Sequence, residues 1–203
     1  MKPARRAWLA APLLGWLRPA RAGAQIEEPL ADAVRTALAA AVADDGPPRP
    51  SFSRLDDRLA YLRWLGAASQ RLKPHKADAH ARLDLLQTAW YESRRAGLET
   101  ALVLGLIQVE SGFRKYAISA AGARGYMQVM PFWARQIGDG DVQGLFHLQT
   151  NLRFGCVILR HYLDIEQGDL FMALGRYNGS RGRPEYPNAV FGARKAWDYR
   201  PAA

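Results

Sequence analysis

Apolar positions recur at helical spacing in segment after segment of this chain, and no pair of alternating runs argues for a sheet. Residues 30–43 are alanine-rich and helical in pattern. The breaker cluster 44–50 (DDGPPRP) reads as a linker. Across 53–72, Leu55, Leu59, Leu62 and Leu65 predict an amphipathic helix with those leucines on its buried face, closed by Pro74. Residues 76–96 predict a second such helix, with Leu83, Leu86, Trp90 and Tyr91 on one side and Gly97 as its stop. Further helices are predicted over 100–111, from Pro131 to Ile137, over 148–167, over 170–177 and over 188–197. Pro184 and Pro187 predict an irregular segment before the last of these. The fold class is mainly α.

One of these helices carries an anomaly. At about 100° per residue, with Leu102 as zero, Leu106 falls near 40°, Val103 near 100°, Ile107 near 140°, and Glu110 near 80°. Glu110 therefore lies inside the apolar arc, where glutamate is rare without a partner. A carboxyl walled by low dielectric keeps its proton to higher pH, which suits a general acid. Ser111, turned away from that arc, is expected to support the helix end.

The 203 residues are 49% hydrophobic, enough for one sizeable packed domain or a domain with a helical companion. No apolar run approaches the ~20 residues that span a bilayer. The formal charge of +9 raises the question of nucleic acid. Lys2, Arg5, Arg6, Arg18 and Arg21 lie within residues 1–22, which hold no acid; the remainder has 23 basic against 19 acidic residues, or +4, without a dense basic stripe. That argues against a nucleic-acid partner. The same N-terminal segment, with a basic start, an apolar stretch from 7 to 17 and Ala20-Arg21-Ala22, reads as an export signal cleaved before Gly23. Arg5-Arg6 partly matches a twin-arginine signal. A plain basic N-terminus is the alternative. Cys156 is the single cysteine and reads as a core residue. His75 and His80 have no partners at metal-site spacing, and Gly138-Asp139-Gly140-Asp141 lacks the ligand series of a calcium loop; no metal or other cofactor is expected.

Four motifs then appear in order: Glu110-Ser111-Gly112-Phe113; Gly122-Ala123-Arg124-Gly125-Tyr126-Met127-Gln128-Val129-Met130-Pro131; Asn151 with Gly155; and Ala173-Leu174-Gly175-Arg176-Tyr177-Asn178-Gly179. Their order and spacing resemble the soluble lytic transglycosylase (SLT) domain, a lysozyme-like glycosidase family acting on bacterial peptidoglycan. The resemblance covers roughly half the chain. It implies a lysozyme-like catalytic domain over 98–203, with 23–97 as an N-terminal helical extension and the linker at 44–50 inside it.

The resemblance also implies a reaction. Most glycosidases use two carboxylates, whereas here only Glu110 fits a motif. Glu110 would protonate the bond between N-acetylmuramic acid and N-acetylglucosamine. The substrate's acetamido group would support the positive centre at C1, and the carboxylate would then take the C6 hydroxyl proton as a 1,6-anhydro ring closes. By motif match, Ser119, Gln128, Met130 and Asn178 would line the sugar groove, and the Tyr177 hydroxyl would orient or partner the carboxyl. Gly122 and Gly125 read as turn residues. Tyr126 replaces the family's usual leucine, and Gly179-Ser180-Arg181-Gly182 departs from the commoner Ala-Gly, which bears on subsite preference. Phe113, Phe132 and Trp133 could stack on sugars or fill the core. The substrate would be peptidoglycan glycan strands, the location the periplasm, and cell-envelope machinery a candidate partner. A water-using muramidase and a catalytically silent wall-binding scaffold are the alternatives.

Overall fold

The structure is a computed structural model that describes residues 25–43 and 50–199. The expected export signal and all but the last residue of the expected linker lie outside these. Among the described residues there are eight α-helices and one 3-10 helix: α1 (Asp32–Ala43), α2 (Leu55–Leu72), α3 (Ala79–Arg95), α4 (Thr100–Ser111), α5 (Pro131–Ile137), the 3-10 turn (Gln143–Phe146), α6 (Leu148–Ile165), α7 (Leu170–Asn178) and α8 (Glu185–Trp197). The described residues hold no strand, only isolated antiparallel bridges from Arg124 to Ile118 and to Val129. The mainly-α expectation is met. No helix here is long and apolar enough to cross a membrane.

α4 is the central helix. Leu102, Val103, Leu104, Leu106 and Ile107 are all buried, so its apolar residues face the core on nearly every side. It packs most extensively along α8. Gly105 makes that approach close: a Cβ there would stand 2.7 Å from the Arg194 backbone nitrogen and 2.9 Å from its Cα. Gly112, in the left-handed region at φ 56°, ends α4. Phe113 follows at φ 64° and packs between His75 and Trp197, each ring centroid 5.2 Å away.

Two expectations need correction. Leu55, Leu59 and Leu62 are exposed; the buried face of α2 is Tyr61, Leu65, Ala68 and Leu72. The aromatic cluster decides this: Tyr61 lies 4.9 Å from Trp90 and 5.1 Å from Phe52, which turns the leucines outward. Likewise α3 buries Arg82, Leu85, Leu86 and Ala89, while Leu83, Trp90 and Tyr91 are only partly covered. The second correction is at α8. It starts at Glu185, with Pro187 inside its first turn. The first N–H groups of a helix have no internal acceptor, so proline costs little there.

The core runs without interruption from Tyr61 to Trp197 and takes in α2 and α3. Phe113, Phe132 and Trp133 belong to it, as does Cys156, a buried free thiol. Deep in this core Glu92 of α3 pairs with Arg153 of α6 at 3.0 Å, both side chains almost fully buried.

Candidate active site

Glu110 is carried to the end of α4 by the helical spacing and is only 5% exposed. One carboxylate oxygen accepts a 2.5 Å hydrogen bond from the Tyr186 hydroxyl; the other is buried without a partner among the described residues. Burial pushes the carboxyl up to about 8, and the Tyr186 bond opposes that push. At neutral pH the group therefore holds its proton. Among the described residues no second carboxylate perturbs it. The other acids of this half are engaged elsewhere. Asp164 pairs with Arg160, Glu166 with Arg176 and Arg181, and Asp169 caps α7. Asp139 and Asp141 each accept a backbone N–H two residues on, as in a turn. Glu185 and Asp198 are exposed.

The loop tied to the end of α4 is built by residues that the sequence singled out. Asn151 holds it twice and ties it to the 3-10 turn: its amide oxygen accepts from Met127 N at 2.8 Å, and its amide nitrogen donates to Arg124 O at 2.9 Å and to Leu145 O of the turn at 2.7 Å. Gly125, at φ 76°, passes so near Asn151 that an added Cβ would lie 2.3 Å from Nδ2. Gly155 leaves room for Met127, whose sulfur would meet a Cβ at 2.4 Å. The Ser111 hydroxyl donates to Tyr126 O at 2.7 Å, with Ile107 O also in reach at 3.1 Å, so it ties the α4 end to this loop as expected.

The predicted groove residues divide. Tyr177 is fully buried, and its hydroxyl donates to Met127 O at 2.8 Å, not to Glu110. The carboxyl's phenolic partner is Tyr186, which the sequence reading missed because it lay in a segment assigned as irregular. Gln128, at φ 49°, donates its side-chain amide to Ala117 O and Gly125 O and so holds the loop itself. Ser119 accepts from Ala123 N through its hydroxyl oxygen at 3.1 Å, which leaves the hydroxyl proton available. Asn178 donates to the Ser180 hydroxyl, while its own amide oxygen is buried and unpartnered among the described residues. Met130 is partly buried, and its backbone N–H meets the Gln25 side-chain oxygen at 3.5 Å. Tyr126 is nearly fully buried, with Lys76 Nζ 5.3 Å from its ring centre.

The segment around Gln25 is itself part of this region. Gln25 is buried, Glu27 accepts from Gln136, and Glu28 pairs with Arg176 at 2.8 Å. Nothing in the sequence marked it, because it falls between the signal-like stretch and the first helix.

The family described as Transglycosylase SLT domain matches residues 88–199, more than half of the chain. The chain belongs to that family. Similar proteins include membrane-bound lytic murein transglycosylase C of Mannheimia succiniciproducens, 55% identical over 79 residues, or 38% of this chain and 21% of that protein. The protein of the same name from Sodalis glossinidius is 36% identical over 147 residues, covering 64% and 40%. A transglycosylase of enterobacteria phage PRD1 is 32% identical over 102 residues, covering 48% and 37%. An inactive mutant of the lytic transglycosylase Slt from Pseudomonas aeruginosa aligns with a TM-score of 0.44 at 22% identity, over 69% of this chain and 27% of that one. The chain thus spans about a fifth of the length of the first relatives. The SLT match begins inside α3, so the second half of that helix falls within the family's unit here.

Proposed function

We propose that this SLT domain is a peptidoglycan lytic transglycosylase with Glu110 as its acid and then its base. The observation that carries the reading is a buried carboxyl held protonated near neutrality, with a tyrosine on one oxygen and no second acid acting on it among the described residues. A hydrolase of the two-carboxylate kind needs a second group on the opposite face of the sugar. A lone acid fits a reaction in which the substrate supplies the rest.

The protonated Glu110 gives its proton to the glycosidic oxygen between N-acetylmuramic acid and N-acetylglucosamine as the C1–O bond breaks. The muramic acetamido oxygen supports the cationic C1. The Glu110 carboxylate then removes the C6 hydroxyl proton, and O6 bonds to C1 to give the 1,6-anhydro end. Tyr186 steadies the carboxylate between these steps. The proton returns to Glu110, and water is not consumed.

In this reading Ser119 binds sugar through a free hydroxyl proton, Asn178 lines the groove, and Met130 packs on a ring face. Gln128 and Tyr177 shape the groove by fixing its loop. The described residues before 88 are an extension whose buried side chains share one core with the catalytic part, and the protein works in the periplasm. Purified cell wall cleared by the wild type and left intact by Glu110→Gln supports the assignment; equal clearing by both defeats it.

A further inference from the structure

The loop that follows Glu110 borders an open cleft of about 500 Å³, lined by His75 and Lys76 from the α2–α3 turn and by the stretch from Phe113 to Ile118. Its wall includes three cations, Lys76, Arg114 and Lys115, and no acidic residue. Among the described residues none of the three pairs with a carboxylate. Arg114 donates through Nε to Ser111 O at 2.8 Å, which leaves the rest of its guanidinium for other acceptors. Lys115 lies 5.2 Å from the Tyr116 ring centre and Lys76 5.3 Å from that of Tyr126. Beside these charges stand two large apolar side chains in the open, Tyr116 at 71% and Ile118 at 64% exposure.

Unpaired cations next to exposed apolar groups match a ligand that carries carboxylates on a short, partly apolar chain. The cleft is also joined to the reacting centre. Arg114 bonds the carbonyl of the residue after Glu110, and the Ser111 hydroxyl bonds the carbonyl of Tyr126, the ring under Lys76. Lys76 and His75 precede residue 88, so this wall of the cleft comes from outside the family-matched segment.

We propose that this cleft holds the carboxylate-bearing stem peptide of peptidoglycan while the glycan strand lies at Glu110. The proposal rests on the transglycosylase reading above. Lys76, Arg114 and Lys115 take the peptide carboxylates, and Tyr116 and Ile118 cover its alkyl side chains. The chain then selects strands that still carry peptides.

The test compares three substrates with the full-length protein: strands with intact stem peptides, strands stripped by an amidase, and strands whose peptide carboxylates have been amidated. Wild type is expected to show a kcat/KM about fivefold to tenfold higher on intact strands than on either other form, from two or three exposed charge pairs. Lys76→Glu with Lys115→Glu is expected to bring that ratio to about one, and raised salt to narrow it in wild type. Thermal melting checks that the double variant folds, and Lys76→Gln with Lys115→Gln provides a milder version. Equal rates of wild type on intact and stripped strands overturn the proposal, as does a preference that survives amidation or the substitutions. Binding of the Glu110→Gln protein to the same three polymers separates the two ideas. If wild type cuts none of them the transglycosylase reading fails, while the cleft is still judged by whether binding to intact strands exceeds binding to stripped and amidated ones.

Discussion

Glu110 and Tyr186 form the pair on which the chemistry depends. A 2.5 Å bond from a phenol to one carboxylate oxygen favours the charged form, and burial favours the neutral one; burial wins, leaving the carboxyl near 8. Acid catalysis needs the proton, so activity is expected to fall as pH rises through that region. Tyr186→Phe removes the contact that favours the carboxylate, so the alkaline limb of the kcat profile should move to higher pH while kcat drops about 10- to 100-fold through lost positioning. A limb that stays in place or moves to lower pH would show that Tyr186 does not bond the working carboxyl. The sequence made Glu110 legible because a 3.6-residue period is a strong constraint over twelve residues of uninterrupted helix. It did not reveal Tyr186, whose approach depends on a long-range contact 76 positions away.

The elements bring those two residues together through α4 and α8. Gly105 lets the helices touch at backbone distance. Gly105→Ala would place a methyl 2.7 Å from Arg194 N, and neither backbone can yield as a side-chain tip would. The helices must separate, at a cost of about 1–3 kcal/mol, and Tyr186 must draw back from Glu110. Denaturant unfolding beside wall clearing checks this; unchanged stability with full activity would contradict it. Helix positions were readable wherever breakers bounded a periodic run, as at Thr100–Ser111 and Pro131–Ile137. The start of α8 was not, since prolines signal irregular chain unless one already knows that Pro187 falls in a first turn. The buried face of α2 was not readable either, because Leu55, Leu59 and Leu62, three of four leucines at helical spacing, lose to the Tyr61–Trp90–Phe52 cluster, which forms only after α3 has docked.

At the scale of the molecule, one core joins the motif-free helices to the motif-bearing ones, and the Glu92–Arg153 pair crosses that seam. Glu92→Gln leaves the Arg153 guanidinium buried without this carboxylate, and should lower unfolding free energy by about 3–5 kcal/mol. A loss under about 1 kcal/mol in denaturant unfolding would mean that the α3–α6 junction does not depend on the pair. Residues 88–199 fix the family. The groove loop was largely legible because Asn151, Gly125 and Gly155 are small or amide-bearing residues at positions that admit little else. The roles of Gln128 and Tyr177 were less so: the sequence points to both, but only the folded loop shows that their donors are taken up by Ala117, Gly125 and Met127 carbonyls. The central claim is that Glu110 alone, without water, opens the glycosidic bond. Mass spectrometry of purified wall digested in 18O-labelled water tests it most directly. The account predicts 1,6-anhydro-muramic ends free of 18O from wild type and none from Glu110→Gln; reducing muramic ends carrying 18O would contradict it.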